Sequence, residues 1–240
     1  MHALILAGGE GSRLKQDGVV TPKATVELQG RPQLLRLVDQ LLLLGAETVT
    51  CMLRSGIDLP PIVVRHVRPF ELTIQRCETP SPVHTLAAGL RIIPSGPVFC
   101  TMVDTVMPSD SWARVYAASE SKLAAGALAV IAVTPYVDDE RALYVESAGD
   151  RIAGLVDEPR EPVRVTGGVY ALSAGARDLG LAAPERGIDR MRGYLRLLLD
   201  AGRVESVEVA QIVDLDRAQD LDAARTLLAR HDPDLLTRRS

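Results

Sequence analysis

Short apolar runs alternate with stretches of helical periodicity along most of the 240-residue chain. The first of these runs is His2–Ala7, and Gly8 and Gly9 follow it directly. Because strands buried on both faces are joined by crossover helices, the alternation predicts a mainly parallel sheet flanked by helices on both faces. Ligands of such sheets bind beyond the carboxyl ends of the strands, so residues at those ends are the first candidates for a functional site.

The same patterns predict the remaining elements. Strands are expected at residues 48–53, 62–66, 97–103, 127–133, 142–147, 151–156, 163–172 and 203–209, and helices at 31–45, 83–93, 109–123, 187–201 and 218–230. The stretch 142–172 has an antiparallel pattern, which predicts a small antiparallel insertion. A chain of this length favours one domain, here residues 1–230, followed by a polar tail at residues 231–240.

The composition is that of an ordinary soluble globular protein, with 47% apolar and 24% charged residues. A net charge of −4 gives no electrostatic reason to expect a nucleic-acid partner. No segment has the length and apolarity of a membrane span, and the chain begins with a strand instead of a secretory signal. Three scattered cysteines suit a reducing compartment, so we expect a cytoplasmic protein, and a homo-oligomer is compatible with the sequence.

The most specific motif follows the first strand and has the sequence LAGGEGSRLKQDGVVTPK, from Leu6 to Lys23. Its glycines allow the backbone to approach a phosphate chain and to offer N–H groups as anion donors. Arg13 can donate bidentate hydrogen bonds to phosphate oxygens, and Lys23 can add a compact positive charge. Only three of the 27 basic residues are lysines, so Lys23 is conspicuous, although codon bias with stray lysines is the alternative. The glycines alone would also suit a tight strand-to-helix turn.

Acidic residues follow two other apolar runs. Asp104 ends FCTMVD, and Asp214 belongs to IVDLDRAQDL at residues 212–221. A carboxylate at the end of a buried strand is costly unless it is paired or binds a cation, and Mg²⁺ takes one or two carboxylates plus substrate phosphates. A helix cap or loop acid is the alternative for Asp104. We interpret Asp216 as the N-cap of the last helix and Asp220 as a partner of its dipole.

The loop motif resembles the sugar-nucleotide pyrophosphorylase signature L-A-G-G-x-G-[ST]-R-L followed by P-K, within a nucleotidyltransferase family that includes MobA-like and sugar-phosphate NTP transferases. The matching residues are Leu6, Ala7, Gly8, Gly9, Gly11, Ser12, Arg13, Leu14, Pro22 and Lys23. The resemblance implies a single α/β domain with a Rossmann-like (GT-A-type) sheet and a nucleotide bound on the loop. It also implies catalytic roles for Arg13 and Lys23, and Mg²⁺ as the cofactor with Asp104 and Asp214 as ligands.

Two further segments are similar to substrate-contacting motifs of this family. ETPSPVHT, residues 78–85, resembles the T-P-S-x-x-H-S form, which implies nucleotide contacts from Glu78, Ser81 and Thr85. A plain helix start is the alternative. TGGVY, residues 166–170, resembles the [TN]-G-G-[IV]-Y strand against which the acceptor rests, so Gly168 is an expected acceptor contact. A β-bulge would also require glycine there.

The acceptor side departs from the family pattern. Glu158 stands where relatives often have the lysine of Glu-Lys-Pro, and Gln211 where several relatives have another lysine. We expect Arg160 to compensate as an acceptor contact, with Arg190 and Arg192 as further candidates. A solvated helix face is the alternative for the arginines of RMRGYLR.

The sequence therefore predicts a magnesium-dependent nucleotidyltransferase that transfers a nucleoside monophosphate from an NTP to a sugar phosphate or other small alcohol phosphate and releases pyrophosphate. A nucleotide-sugar-dependent glycosyltransferase is one alternative, although it would usually have Asp-x-Asp where this chain has Asp104-Thr105-Val106. A catalytically silent regulatory subunit of the same fold is a second alternative. Such a subunit would not require Arg13, Lys23, Asp104 and Asp214 together, so their joint presence argues against it.

Overall fold

The computed structural model describes residues 1–66, 72–137 and 142–232, and the elements are labelled in chain order within those ranges. The strands are β1 (His2–Ala7), β2 (Glu27–Leu28), β3 (Arg31–Pro32), β4 (Val49–Arg54), β5 (Leu72–Cys77), β6 (Val98–Met102), β7 (Thr105–Val106), β8 (Ala129–Thr134), β9 (Tyr144–Ala148), β10 (Arg151–Val156), β11 (Val165–Leu172), β12 (Val204–Glu208) and β13 (Val213–Asp214). The helices are α1 (Ser12–Gln16), α2 (Gln33–Leu43), α3 (Pro61–His66), α4 (Pro82–Ile92), α5 (Ser109–Ala124), α6 (Ala174–Ala182), α7 (Met191–Ala201) and α8 (Ala218–His231).

A nine-stranded sheet forms the centre of the fold, in the order β5-β4-β1-β6-β11-β8-β12-β10-β9. Strands β5, β4, β1 and β6 pair in parallel, and so do β8 and β12. The chain adds β4 and β5 on one side of β1 and then places β6 on its other side, which creates a switch point between β1 and β6. A hydrogen bond of 3.0 Å from Val103 N to Leu6 O joins the carboxyl ends of these two strands.

The sheet is mixed, so the prediction of a mainly parallel sheet is not confirmed. β11 lies between β6 and β8 and runs antiparallel to both, and β10 runs antiparallel to β12 and β9. The antiparallel stretch expected at residues 142–172 includes β11, but its sequence did not show that this strand would lie in the centre of the sheet, between β6 and β8. The stretch where a small antiparallel insertion was expected does contain an antiparallel hairpin, β9 and β10, at the edge of the sheet.

Helices cover both faces of the sheet, as predicted. Alternate residues of β1 point into different layers: Ile5 belongs to a core cluster with Leu34 of α2 and Trp112 of α5, whereas Leu4 belongs to a cluster with Leu86 of α4 and residues of α7. A third, smaller cluster joins α1, α8 and the two-stranded sheets β2–β3 and β7–β13. This third cluster holds the last helix close to the segment that follows β1.

One predicted strand is wrong, because residues 62–66 lie in α3. The β-branched residues Ile62, Val63 and Val64 favoured a strand, but Pro61 suits the first turn of a helix and Val63 N donates to Pro60 O at 2.9 Å. β5 and α6 were not predicted from the sequence.

At the C-terminus, α8 extends to His231 and so includes the first residue of the predicted polar tail. Residues 233–240 of that tail lie outside the described residues. In the described ranges, no helix combines the length and apolarity that crossing a membrane would require.

Candidate functional site

The phosphate loop, residues 8–11, connects β1 to α1. Gly11 has φ 61°, a left-handed conformation that favours glycine, and it directly precedes α1. Gly8 lies close to α4, because a Cβ built on it would be only 2.9 Å from Thr85 Oγ1. The loop therefore depends on glycine for a sharp turn at one end and for a close helix approach at the other.

A cavity of about 250 Å³, the loop cavity, opens beside the phosphate loop. Its lining residues are Leu6, Gly8, Gly9, Glu10, Arg54, Thr79, Pro80, Ser81, Pro82, Thr85 and Met102. The predicted nucleotide contacts Leu6, Ser81 and Thr85 are thus brought together with the loop glycines. Glu78 is exposed and does not line this cavity, and Ala7 is buried within β1.

The hydroxyls of Ser81 and Thr85 are engaged at the start of α4. Ser81 Oγ accepts a hydrogen bond from His84 N and lies 2.8 Å from His84 Nδ1. Thr85 Oγ1 lies 2.5 Å from Thr79 Oγ1 and donates to Ser81 O. These side chains stabilise the N-terminus of the helix and thereby fix one wall of the loop cavity.

Two charged residues of the loop cavity, Arg54 and Glu10, were not predicted from the sequence as site residues. Arg54 Nη2 donates to Glu10 Oε1 at 2.7 Å, and Arg54 Nη1 donates to Gly8 O at 3.5 Å. Arg54 is the last residue of β4, which is the neighbour of β1. The rule that ligands lie at carboxyl ends of strands could have identified it, had the order of the strands been known.

Three carboxylates form an acidic cluster, consisting of Asp104, Asp214 and Asp216, in which one oxygen of each lies within 4.8 Å of the others. Asp104 follows β6, and Asp214 is the last residue of β13, which pairs with β7. A hydrogen bond of 3.1 Å from Leu215 N to Asp104 O ties the two segments together. The two predicted metal ligands therefore meet, and an all-oxygen set of carboxylates suits a hard divalent cation such as Mg²⁺.

The interpretation of Asp216 as a helix cap is wrong, because the N-cap of α8 is Arg217. The capping carboxylate belongs to Asp220, whose Oδ2 accepts hydrogen bonds from Asp216 N at 2.9 Å and Arg217 N at 2.6 Å. The position expected for Asp220, in the first turn of the helix, is confirmed. A sequence signal for Asp216 did exist, since residues two apart in an extended segment share a face and Asp214 is two residues earlier.

Lys23 and Arg13 contact the acidic cluster directly. Lys23 Nζ donates to Asp104 Oδ2 at 2.7 Å and also to Asp216 Oδ1. Arg13 Nη1 donates to Asp216 Oδ2 at 2.6 Å. The Lys23 side chain is only 12% exposed, and the 3₁₀ turn Lys23–Thr25 holds its backbone. The phosphate-loop motif and the acidic cluster are therefore parts of one site.

These contacts shift the pKa values of both partners. Burial acts to lower the pKa of Lys23, but the charges of Asp104, Asp214 and Asp216 outweigh it, and the net pKa lies above the ordinary lysine value. Burial likewise acts to raise the pKa of Asp216, but the charges and hydrogen bonds of Lys23 and Arg13 bring it below its ordinary value. Both groups of the Lys23–Asp216 pair are therefore charged at neutral pH.

An open central cleft of about 370 Å³ lies next to these charges. Its lining residues are Gly11, Ser12, Arg13, Lys23, Arg190, Arg192 and Asp216. The lining thus combines the end of the phosphate loop and the two catalytic candidates with arginines from the start of α7. A polyanion in the cleft would meet positive charge from both parts of the chain.

A second cavity of about 250 Å³, the bulge cavity, lies beside a β-bulge of β11. Its lining residues are Met102, Thr134, Tyr136, Ala142, Leu143, Val165, Thr166, Gly167, Gly168, Tyr170, Arg190, Met191, Arg192, Leu195, Ile212 and Asp214. Gly168 has φ 72°, and a Cβ on it would lie 2.7 Å from Thr105 Oγ1. The alternative interpretation of Gly167 and Gly168 was a β-bulge, and that bulge is present. It lies at the wall of a cavity that Asp214 also lines.

The predicted acceptor contacts separate in the structure. Gly168 lines the bulge cavity, whereas Arg160 does not and instead lies 3.4 Å from Glu146 Oε1 through its Nε. Arg190 and Arg192 line both the bulge cavity and the central cleft. Asp157 lies 2.8 Å from Arg192 and so helps to hold it at the boundary between the two spaces.

Most of the chain matches a known protein family. Residues 3–168, more than half of the chain, match the MobA-like NTP transferase domain. Among proteins with curated functions, no significant match to the sequence was found.

Several solved structures share the fold over almost the whole chain. A protein described as a glucose-1-phosphate thymidylyltransferase from Bacillus anthracis has a TM-score of 0.78 and 17% identity, covering 95% of this chain and 94% of its own. An inositol-1-phosphate CTP transferase from T. maritima has a TM-score of 0.77 and 16% identity, with 95% and 96% covered. A UDP-glucose pyrophosphorylase from Acinetobacter baumannii has a TM-score of 0.75 and 17% identity, with 98% and 95% covered.

At such identities the solved structures establish the fold, and the family follows from the match over residues 3–168. The resemblance inferred from the loop motif is thereby confirmed. The chain belongs to the family of proteins with a MobA-like NTP transferase domain.

Proposed function

We propose that this protein is a magnesium-dependent nucleotidyltransferase that joins a nucleoside monophosphate from an NTP to a sugar phosphate or other small alcohol phosphate. The observation on which the proposal rests is the meeting of Lys23 and Arg13 with the acidic cluster beside the phosphate loop. Family membership supports the reaction class. The similar structures described as a glucose-1-phosphate thymidylyltransferase and an inositol-1-phosphate CTP transferase support the class of acceptor.

In the proposed reaction, a phosphate oxygen of the acceptor attacks the α-phosphorus of the NTP. A new P–O bond forms as the bond between the α-phosphorus and the bridging oxygen to the β-phosphorus breaks, and pyrophosphate leaves with that electron pair. Lys23 and Arg13 are suited to stabilise the charge on the departing pyrophosphate, since both line the cleft next to the loop. No protein nucleophile is required, because positioning and electrostatics dominate this chemistry.

Asp104, Asp214 and Asp216 would hold the magnesium ion. When bound, the ion would neutralise phosphate charge and polarise the reacting phosphoryl group. The loop cavity would receive the nucleoside, because it adjoins the glycines that would contact the triphosphate.

The bulge cavity would receive the body of the acceptor. Arg190 and Arg192 stand between this cavity and the central cleft, which suits them to the acceptor phosphate. They would replace the lysines that Glu158 and Gln211 do not supply.

Pyrophosphate release tests the proposal. Each of the four common NTPs is incubated with a panel of sugar and polyol phosphates and Mg²⁺, with and without chelator. We expect one nucleotide and a narrow set of acceptors to give release that chelator abolishes and that Mg²⁺ or Mn²⁺ restores. Full activity in chelator would contradict the metal-dependent mechanism.

The same assay separates the alternatives. A glycosyltransferase would consume a nucleotide sugar and release a nucleoside diphosphate, so a parallel panel of nucleotide sugars is included. A catalytically silent subunit would give neither product with any pair. Either result would refute the proposed function.

A further inference from the structure

The Lys23 ammonium lies inside the group of acids that we propose as the metal site. It is 2.7 Å from Asp104 Oδ2 and is also hydrogen-bonded to Asp216 Oδ1. Its side chain is 12% exposed, and those of Asp104 and Asp216 are 14% and 28% exposed. The acidic cluster therefore already contains a cation, supplied by the chain itself.

The ammonium and a divalent metal would compete for the same place. A magnesium ion lies about 2.0–2.1 Å from each ligand oxygen. An ion on the acidic cluster would thus lie within about 5 Å of an ammonium that contacts the same oxygens, in a partly buried site where charge repulsion is strong. Simultaneous occupancy is unfavourable unless Lys23 moves.

Lys23 has an alternative position within reach. Its side chain runs along the phosphate loop, since a Cβ built on Gly11 would be 3.7 Å from Lys23 Cγ. Gly11, Ser12, Arg13 and Lys23 line the same central cleft. A lysine side chain is long and flexible, so rotation of its side-chain bonds can move the ammonium from the acids towards a phosphate chain without displacing the backbone.

We infer that the Lys23 ammonium occupies the acidic cluster and excludes the divalent metal until a triphosphate in the central cleft draws it away. The inference rests on the proposed function, because it takes the acidic cluster as the metal site. It assigns Lys23 a role before the chemical step: metal bound without nucleotide is disfavoured, and arrival of the triphosphate prepares the cluster for the ion.

The first test is a titration of nucleotide-free protein with Mn²⁺, in which free ion is followed by electron paramagnetic resonance. Removing the ammonium with Lys23→Met should tighten Mn²⁺ binding at least about tenfold, since one close charge repulsion is lost. Lys23→Arg keeps a cation and should bind Mn²⁺ as weakly as the parent. Lys15→Met, which removes an exposed lysine of α1 and makes the same change in net charge, is the matched control and should also resemble the parent.

The site of the gain is tested by adding Asp104→Asn to Lys23→Met, which should remove the tighter binding. The second half of the inference is tested by calorimetry with inorganic tripolyphosphate in the presence of chelator. Tripolyphosphate should bind the parent at least about tenfold more tightly than Lys23→Met, because only the parent has an ammonium that the anion can draw from the acids to pair with phosphate. Circular dichroism and thermal melts check that each variant is folded.

The outcomes separate this inference from the proposed function. Equal Mn²⁺ affinity of parent and Lys23→Met, a gain that persists with Asp104→Asn, or equal tripolyphosphate affinity would overturn the inference while leaving metal-dependent pyrophosphate release intact. Absence of Mn²⁺ binding from every variant, together with absence of pyrophosphate release, would overturn the metal site and the proposed function together.

Discussion

The two halves of the candidate site are built in different ways. The half proposed to bind the NTP, here called the donor half, consists of the phosphate loop, Arg13, Lys23 and the acidic cluster, and opposite charges in direct contact join its parts. The half proposed to bind the acceptor, here called the acceptor half, consists of the bulge cavity and the arginines at the start of α7, and apolar side chains such as Leu143, Val165 and Ile212 form much of its wall. Ionic contacts therefore hold the donor half together, whereas backbone shape and apolar packing form the acceptor half.

This difference explains why the reaction is easier to infer than the acceptor. Few classes of reaction require basic side chains and clustered carboxylates beside a phosphate loop. The residues of the donor half therefore indicate the class of reaction. An apolar wall selects its ligand mainly by size and shape, and the same residues accept many small molecules. Variants should separate the halves accordingly: changes in the donor half should reduce turnover, and changes in the acceptor half should affect acceptor affinity and stability.

The largest expected effect is that of Asp104→Asn or Asp214→Asn. Each should lower the rate of pyrophosphate release about 1,000-fold or more, because a neutral amide replaces a carboxylate of the proposed metal site and several kcal/mol of charge stabilisation are lost. Thermal stability should change little, and excess Mg²⁺ should restore only part of the activity. Asp222→Asn, on an exposed part of α8, is the matched control and should be close to the parent. Near-normal turnover at limiting Mg²⁺ in either variant would remove that acid from the metal site.

The next effect concerns Lys23. Lys23→Ala should lower the rate about 30- to 1,000-fold, corresponding to about 2–4 kcal/mol of transition-state stabilisation. Lys23→Arg should lose less but still measurably, because guanidinium is larger and planar. Steady-state kinetics and melting temperatures of both are compared with those of Lys15→Ala, in which the lost lysine is exposed. Parent-like kinetics in Lys23→Ala would show that the donor half does not depend on this charge.

The sequence predicted much of the donor half because its main residues lie in one continuous motif and at strand ends. Lys23 follows Gly11 closely in the chain, and Asp104 and Asp214 each end an apolar run. Asp216 was misassigned because its local position favours a helix cap, whereas its actual partner, Lys23, is 193 residues away. A local preference could not reveal that ionic contact, which exists only after folding.

The acceptor half was less predictable for a related reason. β11 lies in the stretch where antiparallel strands were expected, but its sequence did not show that it would lie between β6 and β8 in the centre of the sheet. Arg160 and Arg192 were both plausible phosphate contacts by sequence, and only the packing of α7 brings Arg192 to the cavity while Arg160 pairs with Glu146. Long-range packing, rather than local propensity, therefore determines which charges reach the acceptor half.

A smaller and more selective effect is expected for Arg192→Met. The KM for the acceptor should rise about 10- to 100-fold, as expected for loss of one charged hydrogen bond, while the KM for the NTP stays near that of the parent. Arg196→Met is a close control, because Arg196 also contacts Asp157, at 2.9 Å, but lines neither the bulge cavity nor the central cleft. Equal effects of the two variants, or a rise confined to the NTP, would contradict the assignment of Arg192 to the acceptor.

The smallest effect on catalysis, with a measurable effect on stability, is expected for Gly168→Ala. Gly168 has φ 72°, and its new Cβ would lie 2.7 Å from Thr105 Oγ1 and 3.2 Å from Met102 Cγ. The strained backbone alone should cost about 1–3 kcal/mol, and the close contacts should push the bulge away from β6 and β7. The control is Gly149→Ala in the hairpin of β9 and β10, where φ is 63° but no atom lies within 4 Å of the added Cβ.

Both variants should melt several degrees below the parent, since about 1 kcal/mol corresponds to about 2–4 °C in a chain of this size. Only Gly168→Ala should also raise the KM for the acceptor, because only its backbone shift alters the wall of the bulge cavity. An unchanged KM for the acceptor in Gly168→Ala, or an equal rise in Gly149→Ala, would show that the bulge does not shape the acceptor half. The proposed contrast, in which ionic contacts form the donor half and backbone shape forms the acceptor half, would then be wrong.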